Sequence, residues 1–111
     1  MSVEEDFSVE PEEPMEFIYE QKLREGELSA EKDELKSRIN KIENTLRLLE
    51  NRDDELTCMI STNNIYQLST VKHVREALNA NLTASMQSFV SVHRKLLRIQ
   101  HQIRLDQGTL I

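Results

Sequence analysis

Leu28, Leu35, Ile42, Leu49 and Leu56 recur every seven residues, and Ile39, Leu46 and Ile60 interleave at the 3-4 spacing of a coiled-coil seam. Seven-residue recurrence places those side chains along one edge of a slightly underwound helix. Such a stripe is stable only when a similar stripe covers it. The pattern predicts a helix over residues 29–60, with Ser29 as its N-cap and Glu31, Asp33 and Glu34 near the positive end of its dipole. Residues 15–28, with Met15, Phe17, Ile18 and Tyr19, read as an uncertain helical extension, since Gly26 weakens a helix running through it.

A second ladder starts at Leu68 and Val71 and continues through Leu78, Leu82, Phe89, Val92, Leu96, Ile99 and Ile103. It predicts a helix over residues 66–107, with Gly108 just past its last regular repeat in a C′-like position. Met86, Val90 and Leu97 flank this seam, so the second helix has the wider apolar face and room for more than one neighbour. The two ladders are out of phase. Extending the first by sevens from Ile60 reaches Gln67, Val74, Asn81 and Ser88, of which only Val74 is apolar. Either the chain turns back at residues 61–65 into a helical hairpin, or a bent rod absorbs one skipped residue. Ser61, Thr62, Asn63 and Asn64 are weak helix formers and favour the turn.

The resulting fold class is all-α: two long amphipathic coiled-coil helices behind an N-terminal tail. Two Gly, two Pro and no Trp among 111 residues argue against sandwich and barrel folds. Residues 1–20 hold eight acids and no Lys or Arg, whereas the remainder has 14 bases against 20 − 8 = 12 acids. The net charge of −6 is therefore that of an acidic segment preceding a near-neutral body. With Pro11 and Pro14 among the acids, residues 1–14 read as disordered. That tail either solubilises the chain or carries a short binding motif anchored by Phe7; Ser2 and Ser8 suit an acid-directed kinase.

Candidate chemistry is sparse. No glycine-rich phosphate loop, metal-ligand cluster or nucleophile in a recognisable setting occurs, so neither enzyme activity nor a cofactor is expected. Cys58 is the only cysteine and reads as a partly buried thiol in a helix interface. His73, His93 and His101 are scattered on one helix. Asp53 sits at a seam position inside the charged run Arg52–Glu55, where it is either locally exposed or a register device paired with a base from another helix. Arg94, Lys95 and Arg98, with His101 and Arg104 nearby, make one face cationic. Without interleaved aromatics that face suits an acidic partner helix, or the chain's own tail, better than nucleic acid. No apolar run approaches a membrane span, and the acidic N-terminus is unlike a signal peptide, so the expected location is cytoplasmic, with nuclear or cytoskeletal as the alternative.

The segment Glu34-Leu35…Ile39…Ile42…Leu46…Leu49, a break, and a second amphipathic helix ending Arg94-Lys95-Leu96-Leu97-Arg98-Ile99 resemble the small snapin-like helical subunits. The likeness covers residues from about 30 to 105. It implies a cytosolic, rod-forming subunit of hetero-oligomeric complexes in lysosome positioning or lysosome-related organelle biogenesis. Kinetochore or microtubule linkers and homodimeric coiled-coil adaptors share the spacing. In each case the partners are other coiled-coil proteins and both ladders, Leu28 to Ile60 and Leu68 to Ile103, form the partner interface.

Overall fold

The computed structural model describes residues 14–109; the tail reading of residues 1–14 falls almost wholly outside them. Its elements are α1 (Pro14–Leu49), β1 (Thr57–Thr62), β2 (Ile65–Thr70) and α2 (Val71–Thr109). The fold is thus mostly helical, and the all-α expectation is corrected by a two-stranded antiparallel sheet between the helices.

Helix α1 begins fifteen residues earlier and ends eleven residues earlier than the expected 29–60. Upstream, the seam continues through Gln21 and Ile18, both buried, so the segment around Gly26 has packing to hold it in the helix. Pro14 suits the opening turn because its missing N–H has no helical acceptor to lose. Ser29 consequently lies inside the helix. Downstream, Asn51-Arg52-Asp53-Asp54 offers no seam residue and competes for backbone hydrogen bonds, so the helix stops. Leu56 and Ile60 match the heptad only by spacing: Leu56 is exposed in the connecting loop and Ile60 lies in β1.

The expected break at 61–65 is a tight turn, but it joins strands. Thr62 pairs with Ile65 across the two-residue turn Asn63–Asn64, and the register runs back to Thr57 opposite Thr70. Both turn residues have positive φ, 50° and 67°. That is the type I′ requirement, and Asn tolerates the left-handed region better than other non-glycine residues. Thr57, Ile60, Thr62, Ile65, Tyr66 and Thr70 supply the β-branched and aromatic character of the strands. Leu68 is therefore a strand residue, and α2 starts at Val71. The same helix runs through Gly108 to Thr109, so Gly108 does not terminate it.

The chain forms two compact units. One comprises Glu34–Phe89; the other combines residues 14–33 with residues 90–109. In the first, Leu35, Ile42, Val71 and Ser85 are buried, with Ile39, Leu46, Leu49, Leu78, Leu82 and Phe89 half-buried. In the second, Ile18, Gln21 and Leu28 from α1 and Val92, Leu96 and Ile103 from α2 are buried, and Ile99 is half-buried. Both ladders thus persist, each on its own helix. No common phase links them because the hairpin lies between.

The hairpin and its root as a candidate functional site

The loop of residues 50–56 and the start of α2 form the hairpin's root. Thr70 caps α2: its Oγ1 accepts from the His73 backbone N–H at 3.2 Å. The next free amides of the helix are met by the loop, since Val71 N donates to the Leu56 carbonyl at 2.8 Å and Lys72 N to the Asp54 carbonyl at 3.0 Å. Orphan donors of a helix start are satisfied by backbone already beside it.

Arg75 closes the root. It occupies a seam position one turn into α2, where the 3-4 pattern from Val71 to Leu78 calls for an apolar side chain. Its guanidinium donates to the Leu49 carbonyl at 2.8 Å, to the Arg52 carbonyl at 3.3 Å, and to the Asp54 carboxylate, with which it is also ion-paired. Three acceptors at fixed angles suit the rigid fork of Arg and not the point charge of Lys. Since Leu49 ends α1, this contact places the start of α2 beside the end of α1, and the chain turns back instead of continuing as a bent rod. Of the two readings of Asp53, the exposed one holds: it lies exposed in the loop, and its carbonyl accepts from Leu56 N at 3.1 Å. The paired carboxylate is its neighbour Asp54. An open cleft of about 430 Å³ lies alongside, lined by Glu43, Leu46, Arg47, Glu50, Arg75 and Asn79.

Residues 57–70 contain no charged side chain. Opposed residues share a face, so Met59, Leu68 and Tyr66 stand together with Thr57, Ser61 and Thr70. Met59, Tyr66 and Leu68 are 62%, 70% and 72% exposed. The other face carries Cys58, Ile60 and Ser69, all half-buried, with Ile65 exposed beside the turn. Cys58 is thus a strand residue, not one in a helix interface. Each strand is paired on one side only, leaving two outer edges of backbone donors and acceptors.

The seam residues expected to meet partners are placed differently. Leu28, Leu35, Ile42, Val71, Val92, Leu96 and Ile103 are buried within the single chain, whereas Ile39, Leu46, Leu49, Leu78, Leu82, Phe89 and Ile99 are only half-buried. The second-helix flank does remain open, with Met86, Val90 and Leu97 exposed. Arg94, Lys95 and Arg98 are exposed as well. Among the described residues no group of three or more His, Cys, Asp or Glu is placed to hold a metal, and no helix is long and apolar enough to cross a membrane.

The hairpin had a signal in the sequence: two Asn between runs of Thr, Ile, Tyr and Leu, at the two-residue spacing of a primed turn. No protein-family model matches the chain, and no curated protein sequence is significantly similar to it.

Proposed function

We propose that this chain is a non-enzymatic subunit of a hetero-oligomeric complex and joins it through the β-hairpin. The uncharged, doubly open hairpin with Met59, Tyr66 and Leu68 exposed is the observation that supports this reading. Isolated two-stranded sheets are marginal in water, and long uncharged edges without Lys or Pro invite another strand. Strand addition satisfies the outer edges by main-chain hydrogen bonds, while the apolar face supplies the burial. The helices need no such partner for their seams.

A role in lysosome or vesicle trafficking is the narrower proposal. It rests on the snapin-like spacing of Leu35 to Leu49 and of Leu96 and Ile99. The hairpin itself favours a homodimeric adaptor as the second reading, because two copies can pair edge to edge about a two-fold axis. A kinetochore or microtubule linker is the third. Affinity purification of the tagged chain, followed by mass spectrometry, separates them. Several short coiled-coil proteins with hairpins or free strands support the complex subunit. Recovery of the chain alone supports the homodimer, and tubulin or chromosomal proteins support the linker.

A further inference from the structure

The second compact unit carries a surface that the hairpin reading does not use. Between Glu76 and Asp106 the sequence contains no acidic residue. At 100° per residue, Arg94, Leu97, Arg98, His101 and Leu105 lie on the side of α2 opposite the buried Val92, Leu96 and Ile103, with Arg104 at the margin. All six are exposed, Leu97 and Leu105 by about half. Among the described residues no ion pair joins Arg94, Lys95, Arg98 or Arg104 to a carboxylate. A helix face with cations and aliphatic side chains, but no anions, is built for an acidic, partly apolar occupant.

The chain itself contains a segment of that chemistry. Residues 1–13 carry Glu4, Glu5, Asp6, Glu10, Glu12 and Glu13, no Lys or Arg, and apolar side chains that include Val3, Phe7 and Val9. The segment joins α1 at Pro14, in the same compact unit as the part of α2 from Val90 onward. Reach is sufficient. Thirteen extended residues span up to ~43 Å, while Arg94 to Leu105 covers only ~17 Å of helix. Tethering also gives the segment an effective concentration on the order of millimolar at that face, before any free anion competes.

We propose that residues 1–13 are the intramolecular occupant of the cationic outer face of α2. The complementarity is one of composition: carboxylates for Arg94, Arg98 and Arg104, and apolar side chains for Leu97 and Leu105. Phosphate added at Ser2 or Ser8 tightens the contact by adding negative charge to the same segment. The contact is exposed, so salt releases it.

The test uses the full chain with Cys58→Ser and a nitroxide on Ser2→Cys, and reads amide line broadening by NMR at low concentration. Broadening centred on residues 94–105 is expected. It should disappear in ~1 M NaCl, where the Debye length is about 3 Å, and in the triple variant Arg94→Glu/Arg98→Glu/Arg104→Glu with its helical circular dichroism intact. Absence of broadening at 94–105 overturns the proposal. So does broadening that arises only between labelled and unlabelled copies, which makes the occupant a second chain. Equal binding of phosphatidylserine vesicles by the full chain and by a chain lacking residues 1–13 also overturns it, since the face is then uncovered. The hairpin takes no part in these readouts, so the outcome is independent of how the chain assembles.

Discussion

Replacing Arg75 by Ala removes the one side chain that ties the end of α1, the 50–56 loop and the start of α2 together. The bond to the Leu49 carbonyl dominates, because Arg75 is charged and the bond is part-buried, although that carbonyl also accepts from the Arg52 backbone N–H at 3.1 Å. A charge-assisted bond of this kind contributes ~1.5–3 kcal/mol. The pair with Asp54 is half in solvent, with side-chain exposures of 27% and 56%; screening limits it to ~0.5 kcal/mol. The Arg52 contact, exposed and at 3.3 Å, is counted as nothing. The sum is a loss of ~2–3.5 kcal/mol, or roughly 8–14 °C in Tm at about 4 °C per kcal/mol for a domain of this size. Thermal unfolding by circular dichroism, at fixed protein concentration, reads it. Arg75→Met separates the two roles: an apolar side chain fills the seam position, so helicity is retained, while amide exchange in residues 50–56 accelerates. Arg75→Lys should behave like Met in exchange, because the fork is lost. A Tm change of under ~2 °C for Arg75→Ala, equivalent to about 0.5 kcal/mol, or unchanged loop exchange in the Met variant, refutes the latch.

Three smaller changes probe the elements around it. Asn64→Val places a β-branched residue at φ 67°; it should cost ~1–2 kcal/mol, concentrated in the hairpin, and be visible as faster exchange of residues 57–70 with little change in the helices. Gly26→Ala meets no atom within 4 Å and should stabilise α1 by ~1 kcal/mol, so an unchanged or lower Tm would contradict the continuous helix. Gln21 is buried with its Oε1 lacking a hydrogen-bond partner among the described residues. Gln21→Leu should raise stability by ~1–2 kcal/mol in denaturant titration, and a decrease would mean that the amide is satisfied.

The legible part of the fold was the part governed by a single period. Leu28, Leu35 and Ile42, and Val92, Leu96 and Ile103, stand where a 3-4 repeat puts them, and all six are buried. Extrapolation failed where the period continued by coincidence: Leu56 and Ile60 preserve the spacing across a loop and a strand. The upstream half of α1 was obscured because its seam positions Gln21 and Glu25 are both polar and Gly26 follows directly. Of the root, the charged run was visible, yet Asp53 and Asp54 differ only in which one the returning helix reaches. That choice is made by Arg75, twenty-one residues from Asp54. Local spacing carries no record of such a contact. The hairpin was hidden for a different reason: Ile60 and Leu68 also fit helical seams, although an Asn-Asn pair between β-branched runs marks a primed turn.

Assembly is expected to depend on the exposed apolar face of the hairpin, while the helices keep their fold without a partner. Sedimentation of the tagged chain in native extract, beside the variant Tyr66→Glu/Leu68→Glu, tests it most directly. The wild-type chain should travel well above its own 13.0 kDa, and the variant as a lone chain whose helical circular dichroism is unchanged. A wild-type chain sedimenting alone, or a variant that stays in the same complex, would contradict it.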